Sequence, residues 1–192
     1  MMTNSSPRIL GIGGGTRPGS SAERYLQLAL SAAEKAGATT TFLGAHSLRL
    51  PLYEPSAAAD GAAQQLVEEL RRADGIIIAS PGYHGTVSGF MKNALDYAEE
   101  TRSDKRPYFS ERAVGCMAVA GGWQAAVGTM ASLREIVHAL RGWPTPMGVA
   151  INISEAPLDS AGTCQSTSVV QQIQLMASQV VEFANLSTHR QL

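Results

Sequence analysis

The sequence predicts a three-layer α/β sandwich around a five-stranded parallel sheet, with strands in the order 2-1-3-4-5. Three observations predict it. Apolar runs alternate with helical patterns along the chain, the mark of successive βαβ units. The strand runs are continuous rather than alternating, Gly75 to Ser80 (GIIIAS) above all, as in parallel strands covered on both faces. Five such runs are visible, where a dinucleotide-binding order needs a sixth.

Each element has its own signal. Arg8 to Gly13 (RILGIG) is the first strand. Ser21 to Ala36 follows as a helix, with Tyr25, Leu28, Ala29, Ala32 and Ala36 at helical spacing and Gly37 closing it. Ala38 to Leu43 is β-branched and aromatic and reads as strand two, and Ser47 to Pro55 (SLRLPLYEP) is a loop. Asp60 suits the cap of a helix running to about Ala73, with Leu66, Val67 and Leu70 inward. Strand three is followed by a glycine-rich loop and a helix from about Ser88 to Thr101. Ala113 to Ala120 (AVGCMAVA) is strand four, broken by Gly121-Gly122. The next helix carries Val127, Met130, Leu133, Val137 and Leu140 as one buried stripe, and Trp143-Pro144 stops it. Met147 to Ile153 is strand five, and a last helix from Gln165 to Ala184 buries Val169, Ile173, Met176, Val180 and Phe183. Residues 7–186 then form one domain, with 1–6 and 187–192 as flexible termini.

Bulk properties narrow the function classes. The chain has 192 residues, a one-domain length. Lys and Arg number 15 against 16 Asp and Glu, so no basic excess marks a nucleic-acid surface. Cys116 and Cys164 lack metal-ligand spacing, and a domain of this size needs no disulfide scaffold. Met1 to Pro7 has no apolar signal region, and no apolar run approaches the ~18 residues of a membrane span. A soluble protein of the reducing cytoplasm is expected, with no metal, membrane or nucleic-acid partner.

The chemistry lies in the loops after strands one, three and four. In open α/β sheets, ligands bind beyond the carboxyl ends of the strands where strand order reverses, here between strands one and three. The first loop, Gly13 to Ser21, ends at a helix start, which is an anion site. Thr16, Ser20 and Ser21 add hydroxyls and Arg17 a guanidinium, suiting a phosphate. The plainer alternative is a βα turn capped by Ser20 or Ser21. Ser20 stands where a nucleotide-triphosphate loop needs Lys, and Thr16 where a dinucleotide fingerprint needs its third Gly. A terminal monophosphate fits best, and FMN has one. In the second loop, Pro81, Gly82, Tyr83, His84 and Gly85 suit close approach to a flat ring system. His84 has the alternative of a locally bonded turn histidine. No G-x-S-x-G marks a serine nucleophile. Gly121 and Gly122 repeat the theme in the third loop, followed by Trp123.

At these residues the sequence resembles the NADPH-dependent FMN reductase family, the flavodoxin-like group of flavin, azo, quinone and chromate reductases. GGGTRPGSS resembles the family's phosphate loop, and SPGYHGTVSGFMKNALDY its S-P-x-Y segment through K-N-A-x-D. AVAGGWQAAVGTMASLREIVHALRGWPTP resembles the family's GG loop and following helix, and LPLYEP its loop after strand two, so that the likeness runs from about Arg8 to Asn152. It implies that Thr16, Arg17, Ser20 and Ser21 hold the FMN phosphate. Pro81, Gly82, Tyr83, His84 and Gly85 would flank the ribityl chain and ring, and Gly121 and Gly122 would approach the flavin edge. Two departures stand out: Gly82 where many relatives carry Glu, and Ala22-Glu23 where an Asn is common.

The function expected from this is hydride transfer from NADPH or NADH to FMN, as a flavin reductase. No protein acid or base is required for that step, and His84 and Tyr83 are the candidates for orienting substrate. One alternative is a tightly FMN-bound reductase of quinone, azo or specialised-metabolite substrates. Another is a flavodoxin-type electron carrier, against which the net charge of −1 argues. The resemblance also implies a homodimer or tetramer through the helices after strands three and four. Phe90, Met91 and Trp123 would be costly if exposed as one patch and are the candidates for that contact, with ordinary core packing as the alternative. A flavin-dependent monooxygenase is a further partner of a flavin reductase. Arg49, Lys105 and Arg106 are the cations offered for a nicotinamide 2′-phosphate.

Overall fold

The computed structural model describes residues 6–55 and 61–190. Asp60, the expected helix cap, lies outside them. In chain order the elements are β1 (Arg8–Gly13), α1 (Ser21–Lys35), β2 (Thr39–Leu43), α2 (Gly61–Arg72), β3 (Gly75–Tyr83), β4 (Thr86–Val87) and α3 (Gly89–Asp96). A single 3₁₀ turn, Tyr97–Thr101, continues α3, and then come β5 (Ala113–Ala120), α4 (Trp123–Ala139), β6 (Trp143–Pro144), β7 (Val149–Asn152) and α5 (Thr167–Arg190).

The parallel sheet has the order β2-β1-β3-β5, with β6 and β7 following each other along the free edge of β5. This is the expected flavodoxin-like order, its fifth strand broken into two short pieces. Residues alternate between the faces with period two. Ile9, Ile77, Ala79, Met117 and Ile151 pack under α1 and α5, while Leu10, Ile12, Ile76, Ile78 and Cys116 pack under α2, α3 and α4.

Two helix ends and one stripe residue differ from expectation for local reasons. The helix α4 is not stopped by Trp143-Pro144, which pair with β5. It ends at a turn in which Arg141 takes a left-handed φ of 63° and Gly142 packs where a Cβ would lie 3.0 Å from Phe109. Val127 does not join the buried stripe: it is 57% exposed, on the side of α4 turned from the sheet. The helix α5 continues through Leu186 to Arg190, past Ala184; Phe183 is half-buried, its ring 6.1 Å from that of Trp143.

Both cysteines are free and buried. Desolvation in the middle of β5 pushes the Cys116 thiol up to about 12. The unfolded chain ionises this thiol at lower pH, so stability falls as pH rises through about 9 and toward 12. At pH 10 the share due to Cys116 is about 1.4 kcal/mol, one pH unit of linkage. Urea unfolding at pH 8 and pH 10 should therefore show a smaller alkaline loss in Cys116→Ala than in the parent chain. Equal losses would remove Cys116 as the cause.

Candidate functional site

The carboxyl ends of β1, β3, β5 and β7 bring the three predicted loops to one edge of the sheet. The first two are tied directly. Gly14 N donates to Ala79 O at 2.8 Å. Ser88 Oγ donates to Gly14 O at 2.8 Å and caps α3 by accepting from Met91 N at 2.9 Å, while Ser88 N donates to Ser80 Oγ at 3.1 Å. The chains approach so closely that a Cβ on Gly14 would lie 2.8 Å from Met91 Cβ.

Beyond Gly14 the first loop folds back on itself. Ser20 N donates to Arg17 O, Gly19 takes a φ of +70°, and Ser20 Oγ caps α1 by accepting from Glu23 N at 3.4 Å. So Ser20 does serve as a cap, while Thr16 and Arg17 stand exposed and Ser21 half-exposed. The backbone N–H groups of Gly15, Thr16 and Arg17, and the Thr16 and Arg17 side chains, have no hydrogen-bond partner among the described residues. N–H groups without partners, a free guanidinium and the start of a helix make a donor set that suits a phosphate monoester.

The second loop is more ordered than a glycine-rich bend. The strand β3 continues through Pro81 to Tyr83 and folds back as a hairpin, with Gly82 opposite Val87 and Tyr83 opposite Thr86. His84 and Gly85 form its two-residue turn, at φ 51° and 91°, as a right-twisted hairpin prefers. The hairpin rests on α4, where Thr129 Oγ1 donates to Thr86 O at 3.1 Å. Gly82 lies against that helix: a Cβ would sit 2.6 Å from Thr129 Oγ1 and 3.1 Å from Ala125 O. Gly82→Ala is therefore expected to cost about 1–3 kcal/mol through overpacking, read by urea unfolding; an unchanged midpoint would mean that the hairpin yields. Tyr83 is 49% exposed and His84 is exposed, and neither side chain has a partner among the described residues.

In the third loop, no atom lies within 4 Å of where a Cβ would stand on Gly121 or Gly122. The space beside this backbone is open. The loop is fixed from the segment after β7, which the sequence reading left out. Trp123 Nε1 donates to Glu155 Oε1 at 2.6 Å, Asn152 Nδ2 donates to the same oxygen at 2.7 Å, and Ser154 Oγ donates to Gly121 O at 3.1 Å. Trp123 is left half-exposed with its indole orientation set.

Other predicted residues fall elsewhere. Met91 is fully buried under Gly14 and belongs to the core, so of the three expected contact residues only Phe90 and Trp123 reach the surface. Asn93 and Tyr97 bond the backbone of Pro51 and Tyr53, holding the LPLYEP loop. Lys105 and Arg106 lie at the opposite end of the sheet, where Arg106 Nη2 donates to Ala73 O just before β3. A strand of nine residues, the length of β3, spans about 30 Å, which removes both from any ligand at these loops. Arg49, following β2, is at the correct end.

Residues 7–156 match the family described as NADPH-dependent FMN reductase. The chain belongs to that family. Among curated proteins, an FMN-dependent NADPH-azoreductase of Staphylococcus aureus is 30% identical over 131 residues, 67% of this chain and 66% of the relative's length. Among solved structures, the flavoenzyme NAD(P)H:(acceptor) oxidoreductase FerB of Paracoccus denitrificans superposes with a TM-score of 0.76 at 19% identity, covering 93% of this chain and 97% of the other. An NADH:FMN oxidoreductase in its apo form gives a TM-score of 0.66 at 19% identity, covering 95% and 90%. These two establish the shared fold. No helix of the described residues is long and apolar enough to cross a membrane.

Proposed function

We propose that this chain keeps FMN bound across the three loops and uses NAD(P)H to reduce a planar aromatic acceptor, an azo compound or a quinone. The observation that carries the reading is the joining of the first two loops through Ser88, Gly14 and Ala79. It sets the first loop and the hairpin side by side beyond the carboxyl ends of the strands, which supports a phosphate on the one and a ring on the other. The half-exposed Tyr83 and Trp123, beside the open Gly121-Gly122 backbone, offer aromatic faces to a flat acceptor. The azoreductase likeness points the same way.

Thr16, Arg17, Ser20 and Ser21, with the free N–H groups of the first loop, hold the phosphate. Pro81, Gly82, Tyr83, His84 and Gly85 line the ring on one side, and Gly121 and Gly122 leave room at its edge. FMN, when bound, supplies the hydride chemistry. The chain supplies position and a surface for the second substrate, and no side chain is assigned as acid or base. Residues 7–186 form the working unit, paired as a homodimer through α3 and α4, whose exposed Trp123 and Val127 lie near the site. Light scattering giving a monomer at micromolar concentration would refute the pairing.

The test is turnover with FMN-loaded protein, separated from free flavin by gel filtration. NADPH or NADH oxidation that requires an azo dye or benzoquinone, with flavin co-eluting, supports the proposal. Oxidation that scales only with added free FMN would assign the chain instead to flavin reduction and release, the chemistry that feeds a monooxygenase.

A further inference from the structure

The least expected feature of the site is a carboxylate beneath the phosphate-type loop. Glu23, in the first turn of α1, is 4% exposed, and no Lys, Arg or His pairs with it among the described residues. A buried charge is tolerated only when its lone pairs are satisfied. Here two backbone donors do so. Gly19 N donates to Oε2 at 2.8 Å, and Ala45 N, in the loop after β2, donates to Oε1. The chain has cleared space for it on both sides. A Cβ on Gly44 would lie 2.5 Å from Glu23 Oε1, and one on Gly13 would lie 3.1 Å from Glu23 Cγ.

We infer that Glu23 is a positioning residue that presets the phosphate loop for flavin by pinning Gly19 to Ala45. The inference rests on the proposed FMN site and deepens it. With Gly19 held from below, the segment from Gly15 to Arg17 keeps its fold, and its partnerless N–H groups are already in place for a phosphate. Both carboxylate oxygens are occupied by N–H groups, which oppose their charge. The residual repulsion of a phosphate across solvent is worth about threefold in affinity. Loss of the pin outweighs it, since each charge-assisted bond to a carboxylate is worth about tenfold or more.

The experiment compares FMN with riboflavin, which has the ring and no phosphate, by quenching of flavin fluorescence. Glu23→Gln, whose single carbonyl can satisfy one of the two N–H groups, is expected to weaken FMN binding about tenfold; Glu23→Ala weakens it further. Riboflavin should change less than twofold in both. Gly44→Ala, which crowds Glu23 from the β2 side, should reproduce the FMN-selective loss with no substitution in the phosphate loop itself, and it serves if the Glu23 variants fail to fold. An equal loss for both flavins, or tighter FMN binding in Glu23→Gln, overturns the inference. If the parent chain binds neither flavin, the FMN site itself falls, and Glu23 with it.

Discussion

Replacing Arg17 by alanine is expected to weaken FMN binding about 30-fold while leaving riboflavin within twofold. The guanidinium is exposed at the tip of the first loop with no partner among the described residues, so the substitution removes no internal bond. What it removes is a charge-assisted contact to phosphate, worth about 1.5–3 kcal/mol, or roughly 10- to 150-fold. Arg17→Lys should recover only part, because a point charge cannot form two parallel bonds to phosphate oxygens. The FMN affinity of the parent chain should fall with added salt, and that slope should flatten in the alanine variant. An Arg17→Ala chain that binds FMN as the parent does would move the phosphate away from this loop. The ring contacts of Tyr83 and the hairpin would then need another anchor.

The sheet was legible in the sequence because burial on both faces writes itself as uninterrupted apolar runs; RILGIG and AVGCMAVA are β1 and β5 to the residue. The phosphate-type loop was legible because hydroxyls, a guanidinium and a helix start are neighbours in the chain. What could not be read was whatever depends on distant partners. The hairpin looked like loose loop because its turn uses His84 in a left-handed conformation, which a non-glycine residue rarely adopts. Its register is set by α4, through Thr129 and the close approach at Gly82. The brace on Trp123 comes from Glu155, thirty-two residues away. Glu23 was the nearest miss. Ser20 and Glu23 have the spacing of a capping box, a signal present in the chain. Here the carboxylate turns past the cap residue to Gly19 and Ala45, and only the fold brings Ala45 within reach.

The second large effect concerns stability, at the end of the sheet away from the site. Arg112→Met is expected to cost about 4 kcal/mol, the sum of several buried carbonyls losing their donor, and to lower the melting temperature by about 10 °C. Arg112 is 1% exposed. Its guanidinium donates to the carbonyls of Leu70, Arg71 and Ala73 at the end of α2, and to those of Tyr108 and Ser110. A helix end leaves such carbonyls without partners and favours a cation beside them. Burial, with Arg106 adding to it, holds the guanidinium well below its ordinary range, to about 10. It stays charged at neutral pH, so all five of these bonds are made by a cation. Desolvating that charge is a cost which an apolar replacement of similar length would relieve. Methionine therefore separates the two effects: it fills the space and removes the charge, yet leaves the carbonyls orphaned. Arg112→Lys, with three donors on a flexible stem, should fall between methionine and the parent in thermal unfolding. A methionine variant as stable as the parent would mean that relief of the buried charge balances the lost bonds, and that the end of α2 is held by the Leu66 and Leu70 packing alone.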